Sequence, residues 1–483
     1  MFLSRPARRP DALHFVTVAA CLCASHCGSS PEARVSEAPV EAGIEASDAA
    51  MADPDPTFSS AELAALRALS PNPLPGPPPD ATNRFSDDPT AAALGQRLFY
   101  DSSFSGPLLD TDNDGSPETL GVAGQTGRVA CAGCHLAKSG FSDTRSFQLQ
   151  ISLGAGWGRR RAPSLLDVGQ AKLVMWDGKR DTLYDQIFGP LETVVEMNSS
   201  RLFMAERIFA AYRASYEAVF GPMPPLGDTT QFPALSATLT GCQPKNMTSP
   251  APTCDGTFHG MPGDQAEFDG MTPANQEAVT QVVVNAGKAI GAFERLLTCG
   301  RTPFDVWRQG GTAISRAAQR GAAVFVGAGK CTSCHSGPFM SDQLFHDVGL
   351  APVIVQQDFI DSNDPGAAAG LAYAITNPIN SASSFSDGND RRLPSAVSAA
   401  ETGAFLTPIM RCVAMRPTFM HTGQIQTLAE VVSFFNAGGA NDGFLGTSEI
   451  QPLGLSALQQ SDLVAFLESL TGPGAPAQLF QAP

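Results

Sequence analysis

Two pentapeptides carry the clearest chemistry in the chain: Cys131-Ala132-Gly133-Cys134-His135 and Cys331-Thr332-Ser333-Cys334-His335. Two thiols separated by two residues and followed at once by an imidazole form the attachment pattern of c-type haem. The thiols become thioethers to the porphyrin, and the histidine under the ring gives a nitrogen to the iron. A redox dithiol or half of a zinc site also uses Cys-x-x-Cys, but neither needs a histidine directly after the second cysteine. Two complete copies point to two covalently bound haem c groups. Cys131, Cys134, Cys331 and Cys334 are the attachment residues, and His135 and His335 the iron ligands.

The elements around these motifs read as helices joined by long irregular segments. Gly and Pro are abundant, 46 and 38 residues, and no strand of any length stands out. Asp88-Pro89 opens a helix that runs through Ala93, Leu94, Leu98 and Phe99. Val279, Val282, Val283, Ala286, Ile290 and Phe293 recur at helical spacing over 275–298. A further helix over 314–326 leads into the second motif. Thr427-x-x-Glu430 and Ser456-x-x-Gln459 are capping boxes, and Gly438-Gly439 ends the helix that the first of them opens. Asp110 to Gly115 begins like a calcium loop, yet the twelfth position is Gly121 rather than Glu, so a turn-rich surface loop is expected. The predicted fold is mainly α, two c-type cytochrome-like haem domains with long loops. The N-terminal haem domain spans 58–220 and the C-terminal one 275–475, separated by a Pro/Gly-rich insertion at 221–274 and followed by a tail at 476–483.

The 483 residues carry a formal charge of −16. Arg5, Arg8 and Arg9 against Asp11 make residues 1–20 net +2, so the remainder carries −18. An acidic surface argues against nucleic acid. It suits a basic redox partner, and it equally suits simple solubility. The basic start and the apolar stretch from Ala12 to about Ala24 read as an export signal over 1–27. Val18-Ala19-Ala20-Cys21 resembles a lipoprotein cleavage box that would acylate Cys21. A disordered tether is expected over 28–57. The expected location is the periplasm, free or as an outer-membrane-anchored lipoprotein facing it. Export also permits disulfides: Cys242 with Cys254 could close a small loop, while Cys299 and Cys412 are either a pair or buried thiols.

Several ordered stretches resemble the bacterial di-haem cytochrome c peroxidases, including the MauG-type branch, over roughly 85–475. They are Leu94 to Asp101, Gly140-Phe141-Ser142-Asp143, Arg161-Ala162-Pro163-Ser164-Leu165, Trp176-Asp177-Gly178-Lys179, Gly189-Pro190-Leu191 and Val195-Glu196-Met197. In the second half they are Thr302 to Asp305, Gly321 to Phe325, Ser336 to Phe339, Ser341-Asp342, Arg416 to Gly423 and Thr427 to Glu430.

The resemblance implies roles for individual residues. Glu196 matches the distal carboxylate that moves the proton of hydrogen peroxide, with Glu192 as the nearby competitor. Trp176 matches the tryptophan between the haems, an electron relay. Met420 is the second axial ligand expected for haem two, with Met410 and Met415 close by; His346 and His421 read as structural. Ala155 stands where many relatives have a histidine that ligates haem one, which implies a five-coordinate haem one and an electron-transferring haem two. Arg161 stands where relatives use an Asn side chain for calcium; a guanidinium has no oxygen and repels a cation, so calcium is not expected there. The implied function is reduction of hydrogen peroxide with electrons from a small c-type cytochrome or cupredoxin. MauG-like oxidation of a protein substrate and a di-haem electron carrier are the alternatives. A lipid anchor and a homodimer are compatible with this reading.

Overall fold

Helix starts follow local chemistry. In the computed structural model Asp88 accepts from Thr90 and Ala91 N–H ahead of Pro89, Thr272 caps Asn275 ahead of Pro273, and the boxes at Thr427 and Ser456 are both formed. The structure describes residues 56–145, 152–235, 259–351, 364–388 and 390–483, with backbone alone at 242–243 and 253–254. The export signal with Cys21, and the tether as far as residue 55, lie outside the described residues.

Among those residues the helices are α1 (Ser60–Leu69), α2 (Pro89–Tyr100), α3 (Cys131–Cys134), α4 (Leu183–Gln186), α5 (Phe188–Glu192), α6 (Arg201–Phe220), α7 (Pro273–Glu294), α8 (Pro303–Arg308), α9 (Arg316–Val326), α10 (Ala367–Thr376), α11 (Leu428–Ala437) and α12 (Ala457–Glu468). Strands are confined to two antiparallel pairs. β1 (Cys242–Gln243) meets β2 (Thr253–Cys254), with Cys242 opposite Cys254; β3 (Phe345–His346) meets β4 (Phe405–Leu406). The side chains of Cys242 and Cys254, and with them the expected small disulfide, lie outside the described residues. The fold is mainly α, and none of the described helices is long and apolar enough to cross a membrane.

Two large apolar clusters fill the interior. The first joins α2, α4, α5, α6 and α7, and Cys131 packs against it. The second joins α1, α8, α9, α11 and α12, and Cys331 packs against it. In each, a helix that leads toward an attachment motif crosses a partner through a glycine. A Cβ on Gly95 of α2 would strike the Ala289 carbonyl of α7, and one on Gly321 of α9 would strike the Asp462 carbonyl of α12. The described parts of 221–274 also bury Met223, Leu226, Phe232, Phe268 and Met271 in the first cluster. Their irregular spacing has no helical period, yet each removes apolar area from water.

Three links fix the C-terminal approach to the site. Cys299 and Cys412 form a disulfide across 113 residues of sequence. Arg411 binds Asp305 in bidentate fashion, at 2.7 and 3.0 Å, and Ser70 Oγ donates to the same carboxylate at 2.7 Å. The pair is almost solvent-free, with side chains 1% exposed, so its charges are satisfied by each other.

The chain also repeats itself in constant register. Asp167 and Cys412 are left-handed caps (φ 61° and 56°) of single 3₁₀ turns. Met175 and Met420 follow with φ 70° and 66°, inside the bridges Val174 to Arg180 and Phe419 to Ile425. Gly178 and Gly423 complete both turns at φ 68° and 69°, and Thr182 and Thr427 then cap α4 and α11.

Candidate functional site

Both pentapeptides open onto one cavity of about 1300 Å³, larger than the roughly 300–1,000 Å³ of an ordinary small-molecule site. Cys131, Cys134, His135, Cys331, Cys334 and His335 all line it. His135 Nδ1 lies 3.1 Å from the Phe141 and Pro163 carbonyls, and His335 Nδ1 lies 2.8 Å from the Met340 carbonyl. A carbonyl can only accept, so Nδ1 carries the proton in both rings. Nε2 is left with its lone pair, the state an iron ligand needs. The peptide carbonyls come from Phe141 and Met340, two residues turned to φ 54° and 53°. The two halves therefore orient their histidines by the same device.

The alternatives to haem fit less well. Burial pushes Cys131, Cys134 and Cys331 up to about 12, the opposite of a reactive dithiol. Among the described residues the one close group of three candidate metal-ligand atoms is Cys334, Asp342 and His346, which includes neither pentapeptide histidine. Free thiols, oriented imidazoles and a shared cavity fit two covalently held haems.

Glu196 also lines the cavity, and its carboxylate makes no hydrogen bond or ion pair among the described residues. Burial holds its pKa above the usual 4.5, partly offset by Lys179 and Arg180. Glu192 differs: Arg201 grips it at 2.7 and 3.0 Å. The residue with a free carboxylate is thus Glu196, in the turn that follows α5, and not Glu192, the last residue of that helix.

Trp176 is buried and its Nε1 donates to the Arg161 carbonyl at 2.7 Å. Its ring meets His421 edge-on at 6.5 Å. These two rings occupy matching places in the internal repeat, so the halves touch through equivalent aromatics at the cavity wall. Met420 and Met410 line the cavity; Met415 packs instead on the first cluster. His346 is held by Asp342 at 2.9 Å and Glu449 at 2.7 Å. His421 is stacked on Phe405 at 3.6 Å and makes no side-chain hydrogen bond among the described residues; burial pushes it down to about 3.

Ala155 is fully buried, and the strand-like turn around it lies on the backbone of Glu196. Ala155 N–H donates to the Glu196 carbonyl at 2.8 Å and Gly156 N–H to that of Val195 at 2.8 Å. A Cβ on Gly154 would come within 2.7 Å of the Val195 carbonyl. The Asp110 loop is a turn system at the surface, with Thr111, Asp114 and Gly115 exposed and Asp110 and Asn113 turned inward at 6% and 1% exposure. Asp112 is occupied by Trp157 Nε1 at 2.8 Å.

Two cavity residues escape the reading of the motifs. Met175 matches Met420 in the repeat, and Gln186 Nε2 donates to its sulfur at 3.7 Å. Comparing the chain with itself, Met-x-x-Gly-x-x-x-Thr-Leu against Met-x-x-Gly-x-x-x-Thr-Leu, is the signal that finds Met175.

The family model described as di-haem cytochrome c peroxidase matches residues 89–313. The methylamine utilization protein MauG of Methylorubrum extorquens is 28% identical, covering 88% of this chain and 90% of its own length. Cytochrome-c peroxidase IdrP1 of Denitromonas iodatirespirans is 27% identical over 83% of this chain and 85% of its own. The crystal structure of the diheme peroxidase BthA from Burkholderia thailandensis has the same fold, with a TM-score of 0.54 at 20% identity over 83% of this chain and 95% of that one. With paired attachment segments built alike and relatives that align over most of its length, the chain is similar to the di-haem cytochrome c peroxidases, enzymes that hold two covalent haems.

Proposed function

We propose that this protein reduces hydrogen peroxide to water: two electrons and two protons convert one peroxide into two water molecules. The observation that carries the reading is the free carboxylate of Glu196, held above its usual pKa on the wall of the cavity that His135 enters. The bound haems supply the iron that accepts peroxide and the path for its two electrons. Glu196 takes the proton from the bound peroxide and returns it to the departing oxygen. His135 holds the reacting centre from one side. Ala155, which stands where many relatives have a histidine, would offer that haem no second ligand. Trp176, edge-on to His421, relays the electron hole between the halves. His335 and Met420 would hold the second haem, and a thioether ligand would raise its potential and suit it to electron entry.

The donor is a small c-type cytochrome or cupredoxin, steered by the acidic surface. The N-terminal segment exports the chain to the periplasm, with Cys21 as a lipid anchor; the mass of the mature N-terminus tests this. A second reading, oxidation of residues in a partner protein, draws support from the likeness to MauG and from Ala155.

The deciding experiment is an electron paramagnetic resonance spectrum of the ferric holoprotein before and after peroxide. One high-spin and one low-spin haem, with the high-spin signal consumed on mixing, is expected. Two low-spin haems indifferent to peroxide would exclude the reading. Because Met175 matches Met420 in the repeat, Met175→Leu is measured beside the wild type, and the same high-spin signal is expected in both. Turnover with reduced cytochrome c or cupredoxin separates peroxide reduction from oxidation of a protein partner.

A further inference from the structure

The cavity wall between the two attachment segments holds two buried cations that no carboxylate neutralises. Arg161 is 2% exposed and Arg416 8%, and both line the cavity. Arg161 Nη1 donates to Ser142 Oγ and its Nε to the Met420 carbonyl at 3.4 Å. Arg416 Nη2 donates to the Ile409 carbonyl, and its Nε is buried with no partner. Neither forms an ion pair among the described residues. The adjacent Arg160 shows the contrast, since Asp177 and Asp364 each hold it at 2.6 Å.

Two acids bear on the pair from a distance. Asp143 bears on Arg161 without touching it; its Oδ1 is held by Arg145 at 3.3 Å and its Oδ2 is buried without a partner. Asp167 faces Arg416, but it accepts from Cys299 N–H and burial pushes it up to about 6. Burial, then Arg416, push Arg161 down to about 9. A guanidinium nevertheless stays charged at neutral pH, and an uncompensated buried charge costs several kcal/mol. A divalent cation would add to the repulsion. What Arg161 and Arg416 lack is a carboxylate in contact, and the planar fork of a guanidinium matches one. Each haem held through Cys131 and Cys134 or Cys331 and Cys334, all on this cavity's wall, would bring two carboxylates, its propionates.

We propose that Arg161 and Arg416 form a carboxylate clamp that receives haem propionates and leaves no place for a structural divalent cation between the two segments. The inference rests on the two bound haems and not on peroxide chemistry, so either can fail without the other.

The test uses resonance Raman spectra and spectroelectrochemistry of the holoprotein. In Arg161→Gln and Arg416→Gln the propionate bending band of at least one haem shifts, and its midpoint potential falls, because a positive charge that disfavours the ferric state is gone. Unchanged bands and potentials in both variants would overturn the clamp. Arg161→Lys and Arg416→Lys keep the charge and lose the fork, so the band shifts while the potential stays near wild type. They decide the matter if a glutamine variant does not accumulate, and an unshifted band in both overturns it. Wild-type holoprotein is also melted with calcium chloride and with a calcium chelator. Equal melting temperatures are expected, and a rise with calcium would refute the cation-free wall.

Discussion

At the scale of single residues, position separates two glutamates that look alike in sequence. Arg201 occupies both oxygens of Glu192, whereas Glu196 faces the cavity unpartnered. Glu196→Gln is expected to lower kcat/KM for peroxide by about 10²- to 10⁴-fold, the usual worth of a positioned proton-transfer group, with little loss of stability. Glu192→Gln is expected to do the reverse, costing about 1.5–3 kcal/mol of stability from weakened charge-assisted hydrogen bonds with peroxide kinetics nearly intact. Stopped-flow kinetics and denaturant melts on both variants check the division. In the proposed role Glu196 works as the carboxylate, so the wild-type rate is expected to fall as pH drops through a pKa that burial holds above 4.5. Glu294, another cavity-lining carboxyl, is pushed by burial from 4.5 to about 8. The folded state holds its proton more tightly than the unfolded chain. Its contribution is therefore fully present below about pH 4.5 and lost as pH rises toward 8. Glu294→Gln should remove that decline, so its melting temperature gains on wild type between pH 5 and 8, by calorimetry at matched ionic strength; parallel curves would contradict it.

At the scale of elements, each half places its attachment motif by a close helix crossing. Gly321 of α9 lies where any Cβ meets the Asp462 carbonyl of α12. Alanine is the better helix former by roughly 1 kcal/mol, but overpacking against backbone costs about 1–3 kcal/mol and cannot be relieved by a side-chain turn. Gly321→Ala is therefore expected to lower the melting temperature, where propensity alone would raise it. The repeat at Asp167 to Thr182 and Cys412 to Thr427 is the second element-scale device. It brings Trp176 and His421 edge to edge from opposite halves.

Across the whole molecule, the segment that leads to Met420 is tied back by one covalent and one ionic link. The Cys299–Cys412 disulfide closes a long loop, and Arg411 with Asp305 secures the same segment. Replacing both cysteines by alanine is expected to cost about 2–5 kcal/mol, measured by denaturant unfolding of the holoprotein. The visible spectrum of the second haem should respond too, because Cys412 opens the segment that ends at Met420. A spectrum and stability both equal to wild type would mean the tie is redundant.

Much of the fold and of the site was legible in the sequence. The two pentapeptides name the cofactor by covalent chemistry alone, and their order along the chain holds in any conformation. Caps at Asp88, Thr427 and Ser456 were readable because they depend on neighbours within one turn. Tertiary structure decided the rest, because it turns on groups distant in the chain. Only packing could distinguish the disulfide at Cys299 and Cys412 from two buried thiols. The engagement of Glu192 by Arg201, the burial of the 221–274 segment and the pairing of Trp176 with His421 had the same origin. The two uncompensated guanidiniums at Arg161 and Arg416 are the clearest case. A sequence states that a residue is charged, but only the assembled interior determines whether an opposite charge lies within reach.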